Sequence, residues 1–354
     1  MRILYGITGE GLGHTMRARV VLPHLVAAGH HVLVAASARA RTLFAGLGFD
    51  VVPIEGLAIR YRDGAAQRIE TLLLNARRAL PALCGNTARA LTDVLDFAPE
   101  AVISDFDSFS YTIGRALGCR VISLDHHHVV TRFHHPRAVT ARVSYDFGLT
   151  RSLVRRKLPR CDRYLVTSFY FPEPLRSVRG STTLLGPIVR PALERARPTR
   201  GEHVLVYQTA MGDRRLEAAL RETKEISFRV YGLGARPPQR NVEYRAFDEE
   251  RFVEDLASAR AVVTNGGFMT LAEATVLGKP ILSCPIRHQG EQELNAAWLE
   301  HLGLGLRCRR VAPADVRRLV TFTPRTRVRS ATTQALAAID AALTRSPKED
   351  REHA

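Results

Sequence analysis

The stretch RILYGITGEGLGHTMR, residues 2–17, decides the fold class of this chain. It opens with a short apolar run typical of a buried strand and continues into a turn that holds four glycines. From Thr15 to Ala28 the apolar residues Met16, Val20 and Leu25 then recur at helical spacing. A strand, a glycine-rich loop and a helix in this order predict the first unit of a parallel α/β domain.

The same alternation of apolar strands and helical periods continues along the chain. The predicted strands are HHVLVAAS (30–37), DVVPI (50–54), AVISDF (101–106), RVISLD (120–125), RYLVTS (163–168), HVLVYQT (203–209), SFRVYGL (227–233), NVEYRAF (241–247), ARAVVTNGG (259–267) and PILSCP (280–285). The predicted helices run through Leu43 and Leu47, from Gln67 to Asp96, Tyr111 to Leu117, Arg214 to Thr223 and Glu249 to Ser258, onward from Phe268, from Gly290 to Gly303, and from Ser330, a candidate N-cap, to Leu343. Near-continuous apolar strands between helices predict parallel sheets covered on both faces.

A proline-rich stretch over residues 171–201 interrupts the pattern, which then restarts. We therefore expect an N-terminal Rossmann-like domain over residues 1–185, a linker over 186–200 and a C-terminal domain over 201–345. The last helix could pack back on the first domain, and the charged tail over 346–354 is expected to fray. The expected class is α/β, with two Rossmann-like domains facing a cleft.

Composition narrows the class of protein. The chain has 354 residues, 45% of them apolar, so extensive disorder is excluded. No apolar run is long enough to span a membrane, no secretory pattern opens the chain, and the five cysteines form no CxxC pair. These features predict a cytoplasmic protein with reduced thiols.

The formal net charge of +16 indicates an anionic partner, which could be nucleic acid, a membrane surface or a small ligand. Most of the basic residues are arginines dispersed over the length, with one denser patch from Arg151 to Arg163. Dispersed charge favours a basic face on an enzyme with an anionic substrate over a dedicated nucleic-acid-binding protein. Peripheral contact between this patch and an anionic membrane stays an alternative.

Two common nucleotide-binding motifs are absent from the sequence. Counted from Gly9, the third glycine of a dinucleotide fingerprint is replaced by His14, and the second strand ends without an acidic residue for the ribose. A Walker loop is absent because the pair Gly278 and Lys279 is followed by Pro280.

His14 is the candidate general base, because a histidine at the end of such a loop faces the cleft and titrates near neutral pH. Asp105, at the end of AVISD, is the first candidate for the carboxylate that orients it, and Asp107 is the second. Gly11 and Gly13 lie in the same loop and are expected to border the substrate whose hydroxyl group His14 would deprotonate.

The second glycine-rich loop follows the strand ARAVVTNGG. Gly266 and Gly267 end this strand and Thr270 lies in the first helical turn, a geometry that offers backbone N–H groups to a diphosphate. Glu273 on the same helix could accept hydrogen bonds from the two ribose hydroxyls. The next helix opens with a second polar group, Glu291, Gln292 and Asn295.

The runs NGGFMTLAEA (265–274) and PIRHQGEQELNAAWLEHLGLG (285–305) resemble the donor-binding signature of inverting GT-B glycosyltransferases, as found in bacterial members of families 1 and 28. The resemblance implies that Glu273 holds the donor ribose, that Gly267 and Thr270, beside Phe268, meet the diphosphate, and that the backbone near Phe247 meets the uracil. It also implies that Glu291 and Gln292 bind sugar hydroxyls, with Asn295 beside them. Gln208 and Thr209, at the end of HVLVYQT, are further candidate donor contacts.

One departure concerns Asn265, which stands where many relatives have a histidine that touches the diphosphate. Asparagine can donate a hydrogen bond but carries no charge. An arginine elsewhere, such as Arg17 or Arg214, is expected to supply the missing cation.

Two sequence patterns resemble metal-binding sites. Asp105-Phe106-Asp107 has a DxD form, and the histidines near residue 126 could suggest zinc. Adjacent histidines in an extended segment point to opposite faces, so His126 and His127 are better explained as a polar lining of the acceptor pocket. No metal and no other cofactor is expected.

Together with these features, the resemblance implies an inverting, metal-independent glycosyltransferase that moves a hexose, first of all glucose, from a UDP-sugar to a hydroxyl of a small natural product or nucleoside. The domain over residues 1–185 would bind the acceptor, with Gly11, Gly13 and Asp107 among its contacts, and the domain over 201–345 would bind the donor. Three alternatives stay open: a membrane-bound lipid or polymer precursor as acceptor, a nucleotide-sugar 2-epimerase, and a non-catalytic protein that binds nucleotide sugars or nucleic acid.

Overall fold

The computed structural model describes residues 1–8, 12–56, 60–62, 65–143, 147–208 and 214–344. Within these ranges the chain forms two seven-stranded sheets with helices packed against them, and a separate two-stranded hairpin. The predicted α/β class, with two parallel-sheet halves, is confirmed.

The first sheet has the strand order β3-β2-β1-β6-β7-β8-β9, and every neighbouring pair is parallel. The strands of this half, the hairpin β4 and β5 included, are β1 (Arg2–Ile7), β2 (His31–Ala36), β3 (Asp50–Pro53), β4 (Tyr61–Arg62), β5 (Ala65–Ala66), β6 (Ala101–Asp105), β7 (Arg120–Asp125), β8 (Arg163–Thr167) and β9 (Thr182–Leu185).

The helices of the first half connect these strands and extend to residue 195. They are α1 (Leu12–Ala27), α2 (Ala38–Gly46), α3 (Arg68–Arg89), α4 (Leu95–Phe97), α5 (Ser108–Ala116), α6 (Val129–Arg132), α7 (Arg137–Thr140), α8 (Phe147–Lys157) and α9 (Pro191–Arg195), with a π turn at Ala90–Val94 and a 3₁₀ turn at Arg176–Ser181.

The second sheet has the order β12-β13-β11-β10-β14-β15-β16 and is parallel except for β12. Its strands are β10 (His203–Tyr207), β11 (Ser227–Tyr231), β12 (Arg236–Gln239), β13 (Val242–Tyr244), β14 (Ala261–Thr264), β15 (Ile281–Ser283) and β16 (Gly305–Arg307). The helices of this half are α10 (Arg214–Glu222), α11 (Glu249–Ser258), α12 (Phe268–Val276), α13 (Gly290–His301), α14 (Pro313–Thr321) and α15 (Thr332–Thr344).

Strand pairing places the two candidate groups of the first half at one edge. β1 pairs with β6 in parallel, and Ile7 lies opposite Asp105. The carboxyl ends of both strands therefore lie on the same side, and the Thr8 N–H donates to the Asp105 carbonyl at 3.3 Å. This edge is where open α/β sheets usually bind ligands.

Aromatic and histidine rings join the two halves. His126, just after β7, stacks on Phe268 of α12 with ring centroids 4.0 Å apart, and Tyr170 stacks on Trp298 of α13 at 4.9 Å. The last helix, α15, packs against β7 and β8 of the first sheet. It begins at Thr332, and the Ser330 hydroxyl accepts a hydrogen bond from the Thr332 N–H at 3.3 Å. Ser330 thus lies just before the helix and is not its N-cap.

The sequence patterns missed several short elements, among them the strands β9, β12 and β16 and the helices α8 and α14. β9 and β12 are four-residue edge strands, and β16 has three residues. Two prolines in β12, which cannot donate to a ladder, are tolerated because the strand lies at an edge. None of the helices in the described part of the chain is long and apolar enough to cross a bilayer.

Candidate active site

His14 and Asp105 meet at the carboxyl edge of the first sheet. The Nδ1 atom of His14, in the first turn of α1, lies 2.5 Å from Oδ1 of Asp105 at the end of β6. Because a carboxylate only accepts hydrogen bonds, Nδ1 carries the shared proton and Nε2 is left as the basic nitrogen of the neutral ring. Asp105 is completely buried, and the His14 side chain keeps 12% exposure. The partner predicted from the sequence is therefore in hydrogen-bond contact with His14.

Arg17 lies one helical turn after His14 and binds the same carboxylate. Its Nε donates to Oδ2 of Asp105 at 2.9 Å, and its Nη2 donates to Oδ1. Burial would lower the pKa of Arg17, but the Asp105 carboxylate raises it and the net shift is upward. This buried guanidinium is committed to Asp105, so the expectation that Arg17 supplies a cation to the diphosphate is wrong. His14 and Arg17 are three residues apart on α1, so they lie on one face of the helix. This spacing could have indicated that both side chains reach Asp105.

His127 continues the cluster toward the second half. Its ring stacks on Phe106 at 3.9 Å and lies parallel to the His14 ring at 5.2 Å. Burial lowers the pKa of His127 well below its usual value, so the ring is neutral. Phe106 holds a left-handed backbone with φ of 55°, a strained conformation for a residue with a side chain and one that recurs at functional sites.

Glu291, at the start of α13, reaches this cluster from the second half. Its Oε2 lies 3.2 Å from Nε2 of His127, and its Oε1 accepts from Nδ2 of Asn295 at 3.2 Å. Burial raises the pKa of Glu291 to about 7. Glu291, predicted to bind the sugar, therefore lies in the same ring cluster as His14, the predicted base.

His126 and Asn295 lie beneath this surface. His126 contacts the Thr167 carbonyl through Nδ1 and the Asn295 side-chain oxygen through Nε2, both at 2.7 Å. Asn295 is completely buried, and its Nδ2 also donates to the Gly266 carbonyl at 3.0 Å. Burial lowers the pKa of His126 to about 4. In this arrangement both side chains join the two halves and neither presents a free surface to acceptor or sugar.

Asp107 serves the fold in the structure. Its Oδ2 accepts a hydrogen bond of 2.7 Å from the Ser110 N–H and so caps the N-terminus of α5. Burial raises the pKa of this carboxyl group. Asp105 and Asp107 thus belong to separate networks, and the described ranges contain no group of three or more His, Cys, Asp or Glu placed to hold a metal.

The glycine pair after β14 has two different environments. A Cβ at Gly266 would meet the Gln292 carbonyl oxygen at 2.7 Å, whereas a Cβ at Gly267 would meet nothing within 4 Å. Gly267 is the N-cap of α12, and Thr270 lies in the first turn of this helix. The open space and the helix N-terminus coincide at Gly267, which is where an anionic group could approach the backbone.

Glu273 is engaged in a buried ion pair. Arg190, just before α9, donates from Nε to Oε1 at 2.7 Å and from Nη2 to Oε2 at 3.0 Å. Its third nitrogen, Nη1, has no hydrogen-bond partner among the described residues and lies 3.7 Å from Glu249. Sequence reasoning missed Arg190, because a lone arginine after GPIV has no periodic signal. Arg214, the other expected cation, is exposed at the start of α10.

The remaining predicted residues are distributed around this edge. The Gln292 side-chain oxygen accepts from the Ile286 N–H at 3.0 Å, so this group is occupied by protein. Gln208 is buried at the end of β10, and Phe247 is exposed and packs on Phe252 at 5.6 Å. Gly13 lies close to the second half, since a Cβ there would meet Met269 at 3.1 Å. The predicted contacts of Gly11 and Thr209 lie outside the described residues.

Asn265 and Phe268 complete the predicted set. Asn265 follows β14, where its Nδ2 approaches the Cys284 carbonyl at 3.5 Å. Phe268 opens α12 and is buried against His126. Neither observation shows a ligand contact, so the predicted donor roles of both residues stay predictions.

Two parallel α/β halves, with a histidine–aspartate pair at the end of the first sheet and a glycine-rich helix start at the end of the second, have the architecture of glycosyltransferases of the GT-B fold. The chain belongs to glycosyl transferase family 1, whose family model matches residues 1–324. An "Uncharacterized glycosyltransferase" of Methanosarcina mazei is 28% identical over 345 residues, which is 89% of this chain and 88% of the relative. A second one, from Methanosarcina acetivorans, is 27% identical over 346 residues, with the same coverage of 89% and 88%.

Solved structures share the fold over almost the whole chain. The glycotransferase of kitacinnamycin superposes with a TM-score of 0.60 at 18% identity and covers 97% of this chain and 94% of its own. The calicheamicin glycosyltransferase gives 0.57 at 17% identity, with coverage of 99% and 97%. A UDP-glucosyltransferase of Polygonum tinctorium that glucosylates indoxyl gives 0.64 at 14% identity, with coverage of 98% and 99%. At these identities the likeness establishes the fold alone.

Proposed function

We propose that the protein transfers a hexose from a UDP-sugar to a hydroxyl group with inversion, and that His14 is the general base. The observation that carries the proposal is the hydrogen bond from His14 Nδ1 to buried Asp105. It fixes the tautomer in which Nε2 is free to accept a proton, and the carboxylate stabilises the imidazolium that then forms. Arg17 in turn holds Asp105 in place.

In the proposed reaction one displacement moves the sugar. The acceptor oxygen attacks the anomeric carbon while the bond from this carbon to the diphosphate oxygen breaks. The hydroxyl proton passes to Nε2 of His14, and UDP leaves with the bonding electron pair. An α-linked donor would thus give a β-glycoside, and no metal is required by these steps.

The donor side of the proposal rests on backbone and carboxylate groups. The N-terminus of α12 at Gly267 faces open space and is suited to stabilise charge that develops on a leaving diphosphate. Glu291 lies across the cleft beside His127, within the same cluster as His14. A carboxylate there favours a sugar with its hydroxyls present, and glucose is the first choice, in line with the UDP-glucosyltransferase among the structural neighbours.

The acceptor in this proposal is a small hydroxylated molecule. The stacked rings of Phe106, His127 and His14, all in the first half, would contact this acceptor. Several structural neighbours are named for natural products such as calicheamicin and spinosyn. Their names support this acceptor class for the present chain.

The test is UDP release and product mass with a panel of UDP-sugars and a pool of hydroxylated compounds. We expect a hexose mass on at least one pool member and free UDP in equal amount, both lost in His14→Ala. An epimerised donor without any acceptor would replace the proposal by a 2-epimerase. Donor binding by calorimetry without product from any acceptor, soluble or lipid, would replace it by a non-catalytic binding protein.

A further inference from the structure

Helix α8 carries exposed apolar side chains on an arginine-rich surface. Leu149 and Leu153 lie one helical turn apart and are 50% and 59% exposed. Arg156 follows on the same side one turn later, and it is exposed as well. The helix buries Val154 on its opposite side, so the two leucines are not needed for the core.

An arginine-rich face of α8 adjoins this stripe. It is formed by Gly148, Arg151, Ser152, Arg155 and Arg156. Arg151 Nε is buried and has no hydrogen-bond partner within the described ranges. Arg155 and Arg156 form no ion pair with a carboxylate in the same part of the chain. These three guanidinium groups have few carboxylate partners within the protein. They are therefore suited to bind the phosphate of a lipid headgroup.

The helix lies next to the candidate active site. A Cβ at Gly290, the first residue of α13, would meet Thr150 of α8 at 2.5 Å, so the two helices touch directly beside Glu291. Lys157 at the end of α8 lies over the Phe106 ring at 4.2 Å, and Phe106 stacks on His127. A surface held by α8 would therefore sit at the rim of the cleft.

We infer that α8 docks the protein on an anionic lipid bilayer, with Leu149 and Leu153 inserted among the acyl chains and Arg151, Arg155 and Arg156 on lipid phosphates. Amphipathic helices that combine apolar and basic side chains bind at this interface. A nucleic acid would use the arginines but leave both leucines in water. The inference rests on the proposed function in one respect: it defines the acceptor as a hydroxyl compound that partitions into the membrane.

The test is co-sedimentation of the full chain with vesicles of phosphatidylcholine alone or mixed equally with phosphatidylglycerol. We expect binding to the mixed vesicles only, and its loss at about 0.5 M salt, where the screening length falls to a few ångström. Arg155→Gln/Arg156→Gln should weaken partitioning about 30-fold, since each basic residue contributes roughly fivefold at an anionic surface. Leu149→Ser/Leu153→Ser should weaken it about tenfold through lost apolar burial.

Matched controls remove the same chemistry elsewhere. Val26→Ser/Leu47→Ser takes two exposed apolar side chains from the first half, and Arg317→Gln/Arg318→Gln takes two basic ones from α14. Both should bind like the wild type. Equal binding to neutral vesicles, an equal loss in the controls, or no binding at all would overturn the inference. Displacement by inorganic phosphate or heparin with an unaffected leucine variant would overturn it in favour of a soluble polyanion site.

The two proposals can fail separately, because vesicle binding needs no turnover. His14→Ala should bind mixed vesicles like the wild type. Transfer to a soluble acceptor without vesicle binding contradicts only the docking surface. Vesicle binding without transfer to any soluble or lipid hydroxyl contradicts only the transferase.

Discussion

Strands β6 and β14 hold equivalent places in the two sheets, each beside the first strand of its half, and they end in different chemistry. At the end of β6, Asp105 fixes His14 and is itself fixed by Arg17. After β14 the chain turns through Gly266 and Gly267 into a helix N-terminus with open space beside Gly267.

The carboxyl edges of the two sheets therefore have different chemical roles. The first half prepares a side-chain group for proton transfer, with its partners buried. The second half offers backbone N–H groups, and its carboxylates are held by protein partners, Glu273 by Arg190 and Glu291 by His127. A ligand at the second edge must therefore fit beside these contacts or replace them.

The largest expected effect concerns the buried ion pair between Arg190, just before α9, and Glu273 of α12. Arg190→Met leaves the Glu273 carboxylate buried without its cation, which should cost about 3–5 kcal/mol of unfolding free energy. Arg317→Met, the matched control, breaks an exposed pair with Glu225 and should cost less than about 1 kcal/mol. Urea unfolding measures both. Equal losses of unfolding free energy in the two variants would show that burial of the Glu273 pair does not affect its contribution to stability. The double variant Arg190→Met/Glu273→Leu should recover most of the stability lost in Arg190→Met.

The second expected effect is a pH dependence from Glu291. Its pKa is raised from 4.5 to about 7, so the folded state binds a proton that the unfolded state has released. The unfolding free energy should therefore fall as the pH rises from about 4.5 to 7, by up to about 3 kcal/mol, and this contribution is absent in Glu291→Gln. Unfolding curves across this window measure the difference between the two proteins. Parallel pH profiles would mean that the carboxylate titrates normally.

The smallest effects separate the two glycines after β14. Gly266→Ala places a methyl group against the Gln292 carbonyl and should cost about 1–3 kcal/mol. Gly267→Ala has open space and a φ of −63°, so it should cost less than about 1 kcal/mol, mainly because alanine is a poorer N-cap than glycine. Thermal unfolding measures stability, and calorimetry with UDP then asks whether the stable Gly267→Ala variant binds more weakly. A Gly267→Ala protein that unfolds as early as Gly266→Ala would contradict this assignment of open space.

The sequence patterns predicted the architecture because buried parallel strands are long apolar runs. β1, β6, β7 and β10 all follow such runs, and α11 has the predicted limits, Glu249–Ser258. Short edge strands such as β12 carry little apolar signal and were missed. Helix α8 was missed because its arginines hide the apolar period.

The candidate site was predictable where chemistry follows a strand end. His14 and Asp105 came from this rule, because parallel strands bring their carboxyl ends together. Arg190 and the buried state of Asn295 could not be foreseen, since they depend on how the two halves pack. Pairing across the halves has no local signal in the sequence.

The most direct measurement is the single-turnover transfer rate of His14→Ala with the donor and acceptor identified by the product screen. With the base removed and the Asp105–Arg17 pair intact, we expect the rate to fall by about 10²–10⁴-fold. Donor affinity, measured by calorimetry, should stay within about twofold, because the predicted donor contacts at Gly267, Thr270 and Glu273 belong to the second half of the chain. A transfer rate within about threefold of the wild type would contradict the assignment of His14 as the general base.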